Sequence, residues 1–241
     1  MKHQTARRIV TFAALAAAAL LTSGSQSVMA QKGPEGEAAT VNAATDGWPI
    51  HLTYWKSEAG KDASVVVLVH GGGKQNRLVW QACGLVKELV DDGYAVVALD
   101  LRKHGESKAP ENFSARDKSS TVSKFDYEAM IPGDLEAIKK FIYERHQANE
   151  LNMRKLALVG TEEGTVLALN FAAFDWFDAR NKPIEDKPLF ADRTPRGQDV
   201  QSLILVSPVE SLSGMGTVQA VQALRAAGLS ALIIYGSKAT K

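Results

Sequence analysis

The chain reads as an α/β protein, a mostly parallel sheet flanked by helices and built as one domain. Short runs rich in valine, leucine and isoleucine recur at residues 65–69, 94–99, 156–159, 203–206 and 231–235, and stretches with helical spacing of apolar residues separate several of them. The first run, VVVLV, is continuously apolar, as expected of a strand covered on both faces. With 241 residues, 45% of them hydrophobic and 23% charged, the chain holds enough apolar material for one sizeable core.

Residues 1–30 stand apart from this pattern. Lys2, Arg7 and Arg8 precede an apolar stretch over 9–21, a polar segment follows, and Val28, Met29 and Ala30 place small side chains where a signal peptidase cuts. The pattern predicts a secretory signal peptide cleaved after Ala30, and hence a secreted or periplasmic protein. The stretch is too short to span a bilayer at about 20 residues, and no later stretch approaches that length, so no integral membrane span is expected after cleavage. Residues 31–46, rich in Gly, Ala, Glu and Thr without a period, read as a flexible leader, and the ordered domain is expected over 47–241.

Within that domain residues 50–55 alternate like a half-exposed early strand, and 78–90 places Leu78, Leu85, Val86, Leu89 and Val90 near helical spacing. Leu135, Ile138 and Ile142 mark one face of a helix expected to start at Pro132. The run at 156–159 feeds a helix carrying Val166, Leu167, Leu169, Asn170 and Phe171, and a further helix is expected over 218–227. The charged stretch 175–201, with Pro183, Pro188 and Pro195, is longer than ordinary connections and reads as a surface excursion or a lid.

Cleavage removes three basic residues and no acidic one, which takes the formal charge from +1 to −2. Nothing in that balance points to nucleic acid. The single cysteine, Cys83, excludes an internal disulfide framework and a thiolate metal cluster, and reads as a small buried hydrophobe within a helix. Histidines are scattered, and no H-E-x-x-H or H-x-x-E-H spacing occurs. The segment Gly71, Gly72, Gly73, Lys74 lacks phosphate-loop spacing. Neither a metal nor a cofactor is expected.

Three segments in order carry a family resemblance: residues 70–73 (HGGG), residues 100–107 (DLRKHGES) and residues 160–164 (GTEEG), each directly after an apolar run. Together they resemble the α/β-hydrolase fold, in which a glycine loop, a D-x-R-G-x-G-x-S loop and a strand-to-helix elbow stand at the carboxyl edge of one sheet. The resemblance spans roughly Trp48 to Gly236. It implies an oxyanion hole from the N–H groups of the Gly71, Gly72, Gly73 loop and of Glu163, with Gly160 and Gly164 as the elbow glycines. A turn of this kind wants glycines whether or not it serves a reaction.

The family's nucleophile position holds Glu162 instead of serine. After 231–235 the chain carries no acid where the family carries one, and no histidine follows His146; the last strand and helix of the family are expected to be missing. His146 is expected at the wrong sheet edge for a base, whereas His70 and His104 lie at the correct one and are the candidates that remain, His70 more as a loop-shaping residue. Asp100 and Arg102 are expected to pair or cap their loop. Lys74 and Arg77 read as anion-attracting or simply solvated charges.

Two functions follow from these readings. The first is a secreted pseudohydrolase that binds a small molecule or a partner without turnover, since serine, acid and base are not recognisable. The second is an active hydrolase of ester, lactone or similar acyl substrates, with Glu162 as carboxylate nucleophile or water activator. The strand at 231–235 is expected to leave an exposed edge through which a homodimer could form.

Overall fold

The computed structural model describes residues 34–178, 189 and 197–236. The expected signal peptide and most of the stretch 175–201 lie outside the described residues. Strands form at each of the six predicted runs, as β2 (Pro49–Trp55), β3 (Ser64–Val69), β4 (Ala95–Leu99), β5 (Asn152–Thr161), β6 (Val200–Val206) and β9 (Ser230–Ile234), and β1 (Glu37–Asn42) and a two-residue hairpin of β7 (Ser211–Leu212) and β8 (Met215–Gly216) arise where none was predicted. Between them stand α1 (Leu78–Ala82), α2 (Leu85–Asp91), α3 (Lys124–Ala129), α4 (Glu136–Gln147), α5 (Glu163–Phe177) and α6 (Val218–Ala226).

Among the described residues seven strands make one sheet in the order β1-β2-β4-β3-β5-β6-β9. The run β4-β3-β5-β6-β9 is parallel, and β2 and β1 add antiparallel at one side. Leu68 stands level with Ala98 on one side and Val159 on the other, and Val159 stands level with Ile204. Because successive strand residues point to opposite faces, the sheet divides the core in two. Val65, Val67 and Val69 join Leu156, Leu158, Leu203 and Leu205 under α4, α5 and α6, while Val66, Leu68, Val96, Ala98 and Val159 face Trp80, Val86 and Leu89 of α1 and α2. Helix α5 is apolar around most of its circumference, as a helix buried in the larger cluster must be.

Three expectations are corrected. The leader over 31–46 is not flexible throughout, because residues 37–42 form β1, paired along its length with β2. Ala39 and Val41 pack against the core, and Glu37 pairs with Arg145 at 2.6 Å, so a short half-exposed strand is held by its neighbours and not by its own apolar content. The helix over 78–90 is two helices, because Gly84 adopts φ 84° between them. Half-buried Cys83 ends the first of the two, its thiol directed to the Trp80 carbonyl oxygen at 3.4 Å.

The third concerns Pro132, which does not start a helix. The helical run begins at Lys124, where Ser123 and Asp126 form a reciprocal cap. Met130–Leu135 is a π-helical turn that joins α3 to α4. A proline has no N–H to give, and the wider turn accommodates it without ending the helix.

Loops that follow the parallel strands all emerge at one edge of the sheet, the position at which open α/β sheets carry their ligands. The turn from β5 into α5 is packed so tightly that glycine is required on both sides of it. A β-carbon at Gly164 would lie 2.5 Å from the carbonyl oxygens of Val69 and His70, and one at Gly160 would lie 2.6 Å from the Gly164 oxygen. Gly164→Ala is therefore expected to lower stability by about 1–3 kcal/mol, read as the midpoint of urea unfolding. An unchanged midpoint would show that α5 can retreat from β3 without cost.

Candidate functional site

His70 leaves the end of β3 fully buried, with both ring nitrogens engaged. Its Nδ1 lies 2.5 Å from the Gly71 oxygen, and its Nε2 accepts the Leu101 N–H at 3.1 Å. An acceptor Nε2 requires the neutral ring with its proton on Nδ1. Burial, against the pull of the Gly71 carbonyl, lowers the imidazole pKa to about 4. His70 thus ties the glycine loop to the loop after β4 and holds no spare nitrogen for a proton transfer.

The loop after β4 is organised by Asp100, also fully buried. Its carboxylate accepts the Arg77 N–H at 2.7 Å and the Glu106 N–H at 2.8 Å, and it forms an ion pair with the Arg77 guanidinium. Arg77 reaches on to Glu106 and, at 3.1 Å, to Thr53; its hydrogen bond and then its charge lower the Glu106 pKa. Gly105, at φ 49°, passes so close that a β-carbon would lie 2.2 Å from the Asp100 carboxylate.

The expected Asp100 and Arg102 pair is not formed. Arg102 instead bridges Asp134 at 2.5 Å and Asp46 at 2.7 Å, with its guanidinium 4.9 Å from the Trp48 ring centroid. Asp100 meets Arg77, which precedes α1, while Arg102 meets Asp134 of the π-helical turn. Burial raises the Asp134 carboxyl pKa, against the pull of the Arg102 guanidinium.

Lys103 stands at φ 67°, a conformation that favours glycine, and its ammonium pairs with Asp126 at 2.9 Å. His104 follows, buried, with Nδ1 3.0 Å from the Arg102 oxygen and its ring centroid 5.1 Å from that of His70.

The elbow itself keeps an unusual backbone. Glu162 sits at φ 49°, ψ −120°, between β5 and α5, with its N–H on the Val206 oxygen at 3.0 Å. A residue with a side chain in that region costs of order 1–3 kcal/mol and persists only where its surroundings enforce it. Gly160, Gly164, β6 and the end of β3 do so here. The exposed Glu162 carboxylate accepts the side-chain amide of Gln75 at 2.9 Å, and the same amide's oxygen accepts the Gly71 N–H at 3.1 Å. Glu163, the first residue of α5, places its carboxylate 2.8 Å from the Gly72 nitrogen and accepts that N–H.

The structure therefore brings Gly71, Gly72, Glu162 and Glu163 into one cluster with Gln75, and sets His70 and His104 beside it on the same sheet edge. Gly73, at φ 65°, shapes the loop, with no atom that a β-carbon would meet within 4 Å. His146 ends α4, 3.1 Å from the Leu151 oxygen, at the opposite edge. Burial raises the Tyr127 phenol pKa, and the nearby negative charge of Glu163 adds to the effect.

The family model of the alpha/beta hydrolase fold matches residues 64–224, more than half of the chain. The chain belongs to this family. Among solved structures it is similar to an epoxide hydrolase from Vigna radiata, with 21% identity and a TM-score of 0.48 over 80% of this chain and 46% of that one. It is also similar to a thermostable carboxyl esterase from Bacillus coagulans in complex with glycerol, at 16% identity and TM-score 0.47 over 72% and 44% of the two chains. A thioesterase domain from the curacin biosynthetic pathway aligns at 23% identity and TM-score 0.45, over 80% and 52%. The chain spans about half the length of each of these structures. No curated protein matches it.

Sequence reasoning missed Gln75, Asp46 and Asp134. Gln75 carries no motif, and its role exists only because β5 brings Glu162 beside the glycine loop. Asp46 and Asp134 come from segments read as leader and as helix start.

The low pKa of His70 makes a signed prediction. Above about pH 6.5, the ordinary histidine value, the ring is neutral in folded and unfolded chains alike and contributes no pH dependence. As pH falls from there towards 4 the unfolded chain takes up the proton first, so stability is lost. Between pH 7 and pH 5 the wild-type protein is expected to lose about 2 kcal/mol more than His70→Asn, measured by urea unfolding. Parallel losses in the two proteins would mean that the ring is solvated.

Proposed function

We propose that the protein is a secreted, catalytically impaired member of the α/β-hydrolase fold family that binds a small molecule or partner without turnover. The observation that carries this reading is the occupant of the elbow. Glu162 stands where the family resemblance puts a serine, and its carboxylate is tied to Gln75. Two of the four donors expected to receive an oxyanion are also engaged from within, Gly71 by Gln75 and Gly72 by Glu163. His70 has both nitrogens engaged. Loss of nucleophile and base together lowers rates by many orders of magnitude in enzymes of this kind. Export rests on the signal-like pattern of residues 1–30.

One observation favours the second reading, an acyl hydrolase using Glu162 as nucleophile or water activator. The elbow backbone, φ 49° and ψ −120°, is retained and leaves the Glu162 carboxylate exposed beside the glycine loop. Against it, the extra methylene of glutamate over aspartate, the carboxylate nucleophile that some members of this fold use at the elbow, moves the attacking oxygen by about 1 Å, enough to cost roughly a hundredfold in rate. A homodimer through the β9 edge belongs to the first reading, supported by Ile233 and Tyr235, which are 51% and 63% exposed. Sedimentation equilibrium that returns a monomer would remove that part.

Turnover of a short activated ester by the protein from Gln31 onward, beside its Glu162→Ala variant, separates the readings. Equal background rates are expected. Activity in the wild-type protein that disappears in the variant would make Glu162 catalytic and overturn the proposal.

A further inference from the structure

We infer that Glu163 is an autoinhibitory contact: its tethered carboxylate covers the Gly72 N–H, so that this donor of the glycine loop is closed to oxygen ligands independently of what stands at position 162. This rests on the reading of the chain as an impaired hydrolase but concerns a different residue. The Gly72 N–H and the Glu163 carboxylate are 2.8 Å apart across two elements that are neighbours only in the folded sheet. Packing makes the contact close as well as polar. A β-carbon on Gly72 would lie 3.0–3.3 Å from the carboxyl atoms of Glu163, so that side chain lies directly on the loop.

Helix α5 holds the carboxylate there. Glu163 is the first of its fifteen residues, at the end where unpaired N–H groups favour negative charge. The adjacent donor, Gly71 N–H, is covered by Gln75, which also restrains Glu162. A carbonyl or carboxylate oxygen that takes the Gly71 or Gly72 N–H must therefore displace a side chain already held in place, and a tethered group competes at a high effective concentration. Restoring a serine at position 162 alone leaves this block intact.

The test follows the Gly72 amide by NMR in glycine-labelled protein during titration with acetate. In the wild-type protein acetate is expected to leave Gly72 unmoved. In Glu163→Ala the amide is expected to shift on mutation and then to respond saturably to acetate, with an apparent affinity about tenfold or more above wild type, because a charge-assisted hydrogen bond no longer has to be displaced. Where Glu163→Ala fails to fold, Glu163→Gln serves: it keeps the reach and weakens only the acceptor, and its response is expected to fall between the two. Equal acetate responses in wild type and variant, or none in either, overturn the inference. Ester turnover lost in Glu162→Ala would remove the impaired-hydrolase reading while leaving the Gly72 comparison intact.

Discussion

Most of the site's geometry depends on one close approach of backbones, where the start of α5 meets the end of β3. Gly164 lies against the carbonyl oxygens of Val69 and His70, and Gly160 lies against Gly164 in turn. With no side chain to hold the elements apart, the chain must turn within Glu162, whose positive φ is the result. The same turn aims α5 into the larger core cluster and leaves the two glutamates facing the glycine loop. A looser turn would preserve the sheet yet separate Glu162 from Gln75 and Glu163 from Gly72.

Buried charge fixes the neighbouring loop. Arg102 joins the β1–β2 corner, through Asp46, to the π-turn that carries Asp134, while Asp100 draws Arg77 across from the opposite side. Buried pairs of this kind return little net stability, because desolvation of both partners opposes their attraction. Removing one partner is another matter, since it strands the other in an apolar setting. Their contribution is to direction: they decide on which side of β4 each arm of the loop lies.

How legible this was in the sequence depended on how local the cause is. The parallel strands could be read because burial on both faces demands continuous apolar runs, and the order of the three motifs pointed to the fold before any geometry. Strand β1 was not legible, since its residues are ordinary leader composition until β2 supplies the hydrogen bonds. Pro132 misled because its usual place is a helix start, and only a π-turn allows it inside. At the site, Glu162 and the elbow glycines were visible as a pattern. The pairing of Arg77 with Asp100, and the clasp formed by Gln75, join residues 23 and 87 positions apart, a separation that no local signal bridges.

The division of the core by the sheet also bears on which part of the molecule opens first. Among the described residues one face is covered by the long helices α4 and α5, the other by α1 and α2, of only five and seven residues. Short helices with few buried side chains belong to the low-energy end of partial unfolding. The glycine loop is the connection between β3 and α1, so each transient detachment of α1 loosens it without disturbing α5. Amide hydrogen exchange should accordingly divide the site in two, with Gly71, Gly72 and Gln75 exchanging alongside α1 while the first protected turns of α5 exchange far more slowly. The glycine loop is thus tied to the shorter of the two helical layers among the described residues.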